Sequence, residues 1–528
     1  MAGAWFAPSR MADAPRPDGY LRRRPEESVL YQIVSAHWPD FRQKADDAGG
    51  LPRFVVREFE EYLRCGLIEH GLVRLACQRC GHEIVVAFSC KSRAWCPSCC
   101  GRRMADAAAH LVERVIPPVG MRQWVCTLPW PIRSAVAFDR RLCSDVLAAF
   151  AGALLHHLRL QAKRTFGLTS AREAHVGAIT FIQRCDGSLR LNPHFHTLAT
   201  DGVWLPDDRG ELRFRPLPDP TPEQVAELAR RVHARLTRVL AQHGRLGEEL
   251  AAEQAALASC VGASAGDLQL LGAQAGRRTA KRPGPAPDPV GICVPVAECG
   301  GVNIHAGTAV DGRDRRRLER LVRYMSRPPI CTERLELLED GRVYYGFKSA
   351  WRDGSKGVIL HPLDFIARLC ALVPPPRFHM QRYHGLFASG SPHRGQIVPS
   401  PGPATPVQAR LPLAASDPAT GLPPERPATP SRHPWANLLK RAFLIEVSIC
   451  PKRRCGGRMH VVEFATGGEH LARALAALGL GPRPPDRGVR IPARQLAFPL
   501  EIANRPARPG NHQPWESPAK FGPNLARP

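Results

Sequence analysis

Three groups of side chains in this chain have the types and spacing to do chemistry. His194 and His196 sit two residues apart in a strand-like run, Leu191-Asn192-Pro193-His194-Phe195-His196-Thr197-Leu198. Side chains at i and i+2 of a strand share a face, so Asn192, His194 and His196 are expected on one side, with Leu191 and Phe195 on the other. Two imidazoles about 6–7 Å apart on a rigid strand make half of a divalent-metal site. The plainer alternative is a half-buried strand whose histidines are only hydrogen-bonded. The second group is cysteine: Cys77-Gln78-Arg79-Cys80 and Cys96-Pro97-Ser98-Cys99, separated by the fifteen residues 81–95. Each pair offers two thiolates from one turn, and the spacing predicts a single tetrahedral zinc site made by Cys77, Cys80, Cys96 and Cys99. Four thiolates leave no open position, so such a site orders a fold and does no chemistry. Cys65, Cys90 and His82 are spare ligands nearby. The third group is Tyr324, on a predicted helix over residues 314–326. Leu318, Leu321, Val322 and Met325 form its buried stripe, and Tyr324 falls on the flank shared with Arg317 and Arg320.

The segments that must position these groups alternate between helical and extended periods. Residues 28–71 read as amphipathic helices, 122–128 as a strand and 143–165 as a helix. Residues 176–184 read as a strand that returns over 189–200 through a two-residue Asp186-Gly187 turn. Pairing Cys185 with Ser188 across that turn puts Ile179 opposite His194. Gln183 is then about 13 Å from the His194 level, too far to share an ion, and is read as a nucleic-acid contact. Thr221-Pro222-Glu223-Gln224 is a helix start, followed by a stripe at Val225, Leu228, Val232, Leu236, Val239 and Leu240. Residues 300–310 predict a strand carrying His305, and strands over 343–348 and 357–360 precede a helix over 362–372. The expected fold is multidomain α+β. A disordered tail (1–25) leads into a helical, zinc-ribbon-like nucleic-acid-binding domain (26–120). A central antiparallel sheet flanked by helices follows (121–376), with a helical insertion and a flexible loop, the latter over 272–289, inside 205–290. A Pro-rich linker (377–434) then joins a small C-terminal unit with a basic tail (435–528). In that unit Cys450 and Cys455 are half a zinc site at best, read as unliganded unless His460 or another chain completes it.

Charge narrows the partner. Lys and Arg number 73 against 48 Asp and Glu, a formal net charge of +25. That field attracts polyanions, nucleic acid first and an anionic membrane surface second. Arg93, Arg102 and Arg103 around the cysteine pairs, and Arg317 and Arg320 near Tyr324, are the expected contacts. No run of eighteen apolar residues appears, and the first 24 residues are charged and Pro-rich without an apolar signal segment, which predicts a cytoplasmic protein with no membrane partner. Seventeen cysteines in such a compartment argue for metal ligation and against disulfides.

The motifs CGLIEHG, CxxCG, SCKSRAWCPSC, QRCDGSLRLNPHFHTLATDGV, LERLVRYMSRPPI and VPPPRFHMQRYHG follow one another between about Ser28 and Ala388. In this order the chain resembles the rolling-circle transposases of the insertion-sequence ninety-one family, whose nuclease carries a His-hydrophobic-His (HUH) strand behind a zinc-binding domain. A weaker echo surrounds Cys450. The resemblance implies an HUH nuclease domain and a single-strand DNA endonuclease and strand transferase acting at element ends and target. In it His194 and His196 hold Mg²⁺ or Mn²⁺, Tyr324 is the nucleophile, and structural Zn²⁺ orders the N-terminal domain. A third metal ligand is expected, and His305 is the choice. Two departures stand out. Two-tyrosine members carry Tyr-x-x-x-Tyr, and the first of those positions is Arg320 here, so the chain resembles the single-tyrosine branch. Repeated cleavage and joining then need a second subunit, as in a homodimer, or turnover of Tyr324. The C-terminal cysteines also lie four residues apart where the family usually has two. The alternatives are a rolling-circle replication initiator or relaxase, and a non-catalytic zinc DNA-binding protein.

Overall fold

The computed structural model describes residues 23–244, 254–286, 295–399, 438–440, 446–452, 454–477 and 479. Most of the expected tail and linker, and the basic tail past residue 480, lie outside the described residues. Strands β1 (Leu72–Cys77) and β2 (Glu83–Ala87) form a hairpin, followed by β3 (Met121–Thr127), β4 (Gly177–Cys185) and β5 (Leu191–Thr200). Next come β6 (Gly202–Pro206), β7 (Leu212–Pro216), β8 (Ala280–Arg282), β9 (Val296–Cys299) and β10 (Val302–Val310). The set ends with β11 (Leu335–Leu337), β12 (Val343–Gly346), β13 (Gly357–Leu360), β14 (Gln381–Gly385) and β15 (Met459–Ala465).

A six-stranded antiparallel sheet, in the order β14-β4-β5-β3-β10-β9, is the frame of the site. Every residue of β5 is buried, because helices cover both faces of the sheet. On one face Trp124, Cys126, Phe195 and Ile304 meet the helices Arg140–Phe166 and Pro222–His243. On the other Ile179, Phe181 and Leu198 meet the helices Pro97–Arg114 and Arg315–Met325. Alternation along β5 therefore sends Phe195 to the first face and His194, His196 and Leu198 to the second. The flanking helices start where their caps dictate. Asp139 accepts from the backbone N–H groups of Arg141 and Leu142, and Thr221 and Gln224 form a capping box with Pro222 in the first turn.

The register of the β4–β5 hairpin differs from the expected one. Gln183 lies opposite His194 and Phe181 opposite His196, and the register shifts between Gln183 and Cys185, which pairs with Leu191. The connection is a five-residue loop, Asp186 to Arg190, and not a two-residue turn. Asp186 accepts hydrogen bonds from the backbone N–H groups of Ser188 and Arg190, and Leu189 takes a left-handed conformation. Pro193 has no N–H to give the ladder, and Asn192-Pro193 oppose the single residue Arg184, a bulge that completes the shift.

Packing and strand pairing cross the expected domain boundaries. Helices Val29–Asp47 and Arg53–Arg64 stack Trp38 on Phe59 at 4.0 Å between centroids and close Phe59 and Tyr62 around Trp95. That core continues into helices Ala255–Gly266 and Pro362–Leu372 and the sheet β11-β12-β13-β8, so the N-terminal helices share their interior with residues far along the chain. The expected insertion opens with the β6–β7 hairpin, and β8, inside the expected loop, pairs with β13. Strand β14 pairs with β4, carrying the main sheet beyond residue 376 into the expected linker. Strand β15 pairs with β1, so the C-terminal unit completes the small sheet β15-β1-β2.

Candidate active site and metal centres

Cross-strand pairing builds two rows of side chains on the face beneath the helix Arg315–Met325. Gln183, His194, Thr127 and Asn303 form one row across β4, β5, β3 and β10, and Phe181, His196, Val125 and His305 form the next. The rings of His194 and His196 stand 4.9 Å apart. His194 Nδ1 lies 2.7 Å from the carbonyl oxygen of Asn192, so Nδ1–H donates to it and Nε2 keeps its lone pair. His196 Nδ1 lies 2.7 Å from the side-chain amide nitrogen of Gln123, whose N–H donates to it. His196 Nε2 is buried and has no hydrogen-bond partner among the described residues, and the same holds for both amide atoms of Asn192, Thr127 Oγ1 and Asn303 Oδ1. Burial pushes the pKa of His194 down to about 4, and burial with the neighbouring His194, Arg327 and His305 holds His196 well below the usual imidazole range. Both rings are neutral at physiological pH, the state in which imidazole binds a metal. Orphaned buried donors and neutral imidazoles fit a divalent ion.

His305 is not gathered into this pair. It and His196 flank Val125 from opposite sides, about 10 Å apart at the backbone. Among the described residues, the groups of three or more ligand atoms lying within 4.8 Å of one another are both cysteine sets. Burial alone pushes the His305 pKa down to about 4. The residue of β4 that faces His194 is Gln183, which the expected register had placed out of reach.

Tyr324 closes the pocket from above. Its ring stands perpendicular to that of His196 with centroids 5.9 Å apart. Burial raises its pKa, while the charge of Arg327 and a hydrogen bond with it act the other way. The Arg327 guanidinium lies 4.7 Å from the ring centroid and Lys348 Nζ lies 5.5 Å from it. Burial and the charges of Arg327 and Arg334 push the Lys348 pKa down to about 7. Gln183 Nε2 donates to the backbone carbonyls of Tyr324 and Met325, at 3.4 and 2.8 Å, pinning the end of the tyrosine helix over the histidine strand. Gln183, expected as a DNA contact, thus ties the tyrosine helix to β4 through its amide nitrogen.

The expected arginines have other partners. Arg93 donates to the Phe378 carbonyl and ties the cysteine loop to the segment before β14, while Arg102 donates to Ser89 Oγ and Arg103 to the carbonyls of Lys91 and Ser92, within the loop itself. Arg317 and Arg320 lie on the tyrosine helix, Arg320 exposed, but the cations against the Tyr324 ring are Arg327 and Lys348. Sequence spacing could have flagged Arg327, three residues past Tyr324; nothing local marks Lys348.

The cysteines form two quartets, neither of them the expected one. Cys65, Cys90, Cys96 and Cys99 form the first, and Cys77, Cys80, Cys450 and Cys455 the second. In the first, Sγ–Sγ distances are 3.7 Å for Cys65–Cys96, 3.8 Å for Cys65–Cys99 and 3.4 Å for Cys90–Cys99. A tetrahedral zinc with Zn–S bonds of about 2.3 Å spaces its sulfurs about 3.8 Å apart. The β1–β2 hairpin explains the split. Cys65 and Cys90 flank its base and Cys77 and Cys80 its tip, about 20 Å away along six residues of strand. Cys96 and Cys99 reach only the base.

Two family models match the chain, one described as "Transposase zinc-binding domain" over residues 33–128 and one described as "Putative transposase" over residues 177–394. The first contains the whole Cys65–Cys90–Cys96–Cys99 set, and the second contains β4, β5 and the tyrosine helix. An α+β chain of this construction, with zinc-type thiolate sets beside an antiparallel-sheet domain, is a zinc-binding transposase. It belongs to the insertion-sequence ninety-one family of transposases. No curated protein and no solved structure matches the chain. No helix among the described residues is long and apolar enough to cross a membrane.

Proposed function

We propose that this transposase nicks and rejoins single-stranded DNA through Tyr324, at the ends of its element and at the target, in the cytoplasm. The observation that carries the reading is the perpendicular approach of Tyr324 to His196, whose buried Nε2 has no partner among the described residues. Tyr324 Oη attacks the scissile phosphorus, the new Oη–P bond replaces the P–O3′ bond, the phenolic proton is released, and the departing 3′-oxygen takes up a proton. The product is a 5′-phosphotyrosine and a free 3′-hydroxyl, which conserves the bond energy for joining to a new end without a nucleotide cofactor. A free tyrosine hydroxyl, with a pKa near 10, is a weak nucleophile at neutral pH, and burial weakens it further. Arg327 and Lys348 oppose that by placing positive charge beside the ring and the incoming phosphate. His194 and His196 would hold Mg²⁺ or Mn²⁺, which when bound draws charge from a non-bridging phosphate oxygen. With one tyrosine at the site, the second transfer uses a partner subunit or a recycled Tyr324.

The test is an end-labelled single-stranded oligonucleotide carrying the element's end, incubated with the full chain and Mn²⁺. Wild type is expected to form a denaturant-resistant protein–DNA adduct that Tyr324→Phe does not form. Adducts from both proteins, or from neither, would overturn the reading.

A further inference from the structure

The second cysteine quartet spans the chain. Cys77 and Cys80 sit at the tip of the β1–β2 hairpin, and Cys450 and Cys455 lie outside both matched regions, Cys455 being 378 positions beyond Cys77. We propose that Cys77, Cys80, Cys450 and Cys455 bind a second zinc ion, which clasps the C-terminal segment onto the N-terminal sheet. Cys77 Sγ lies 3.6 Å from Cys455 Sγ and Cys80 Sγ 3.7 Å from Cys450 Sγ, with all four sulfurs within 4.8 Å of one another. These separations match the edges of a tetrahedral zinc–thiolate site and are far longer than the roughly 2.05 Å of a disulfide. Four sulfur donors select zinc over the oxygen-seeking magnesium and calcium.

The surrounding turn is built to fit. Cys450 N–H donates to the Gly457 carbonyl at 2.8 Å and Cys455 N–H to the Lys452 carbonyl at 3.1 Å, folding the second pair into a knuckle. A Cβ on Gly457 would stand 2.6 Å from Cys77 Sγ, so only glycine lets the knuckle close on the hairpin tip. Gln78 N–H donates to the Arg458 carbonyl at 3.0 Å and Arg79 Nη1 to the Cys455 carbonyl at 2.9 Å, stitching tip to knuckle on both sides of the sulfurs. Zinc with four thiolates carries a net charge of −2, and Arg79, Lys452, Arg454 and Arg458 surround it in sequence. The knuckle leads directly into β15, whose pairing with β1 runs from Met459 opposite Cys77 to Ala465 opposite Leu72. Holding two segments so far apart in sequence costs loop-closure entropy that seven strand residues at a sheet edge recover poorly, and an ion shared between them offsets it.

The experiment is native mass spectrometry and metal analysis of the full chain, read with amide hydrogen exchange. Two zinc ions per chain are expected in wild type and one in the double variant Cys450→Ser/Cys455→Ser, with faster exchange in residues 459–465 and unchanged protection in β4 and β5. Gly457→Ala tests the geometry without touching a ligand, and should release one of the two ions about 10- to 100-fold faster. One zinc in wild type, two in the double variant, or iron in place of zinc would overturn the proposal. None of these readouts depends on DNA cleavage, so they stand or fall apart from the nicking reaction.

Discussion

The cysteine quartets and the histidine pocket both gather metal-type donors at short spacing, yet they end in opposite states. In the Cys65–Cys90–Cys96–Cys99 set, four sulfurs converge on one point from two chain segments and leave no direction open. In the histidine pocket two neutral imidazoles converge, and among the described residues no third His, Cys, Asp or Glu ligand atom is gathered with them. Buried polar atoms of Asn192, Thr127, Asn303 and His196 are left without partners around them. An unpaired buried polar group carries a cost of about 1–3 kcal/mol, so the pocket stores strain that an ion and a phosphate could relieve. The two regions are mechanically joined. Cys96 and Cys99 stand at the start of the helix Pro97–Arg114, and Arg315 at the start of the tyrosine helix donates to the carbonyls of Val112 and Ile116 at its other end. The closed centre thereby helps to aim the open one.

The hardest test of that contrast removes a ligand from the closed side. Cys99→Ser should cost the first centre its ion and about 10 kcal/mol of apparent stabilisation, melting the aromatic core around Trp95. Tryptophan fluorescence and zinc content are expected to fall together, and adduct formation to fall with them because the helix that positions Tyr324 loses its anchor. A variant that kept its fluorescence and lost one zinc would show the closed centre to be dispensable to the fold. On the open side the order of effects reverses. His196→Ala should slow adduct formation by about 10²- to 10³-fold, the scale of several kcal/mol of lost charge stabilisation, while the thermal midpoint moves by a few degrees at most. Equal damage to stability and rate would mean that His196 is structural.

How much of this could be read beforehand depended on how local the physics was. The histidine strand, the tyrosine helix with its stripe at Leu318, Leu321, Val322 and Met325, and the capping box at Thr221 are written in periods and caps within a dozen residues, and the structure has each of them. Register was not local in that sense. Pro193 and the left-handed Leu189 lengthened the turn and inserted a bulge, and a shift of that kind moved Gln183 from a distant position to the one facing His194. The cysteine pairing failed for a related reason. Two CxxC motifs look like one site when the hairpin between them is ignored, but its length sends one motif to a partner 370 residues away. Lys348, on the loop after β12, had no marker at all, because its role comes from tertiary approach to Tyr324.

Gln183 offers a finer test of the open pocket, since it touches the tyrosine helix only through backbone carbonyls. Gln183→Ala should remove about 1 kcal/mol of hydrogen bonding and let the helix end shift over the histidines, slowing adduct formation by about tenfold with little change in DNA affinity. Gln183→Glu loses the donor but keeps the volume, and is expected to behave like the alanine variant. If glutamate restores the rate, the side chain acts through its oxygen, as a ligand would.

The smallest expected effect is at Lys348, and its sign follows from its pKa. Folding lowers that pKa to about 7, so the folded state binds fewer protons than the unfolded chain between about pH 7 and pH 10. The penalty for placing a charge beside Arg327 and Arg334 is fully present below pH 7 and fades as the pH rises. Lys348→Met should therefore raise the thermal midpoint at pH 6, by on the order of 1–2 °C because water still reaches the side chain, and leave it unchanged near pH 10. The same variant should flatten the salt dependence of single-stranded DNA binding by about one phosphate contact at pH 6 and by much less at pH 9, where the native lysine is already neutral. A stability gain that does not depend on pH would place the effect in packing, and an unchanged salt slope at pH 6 would remove Lys348 from the DNA path.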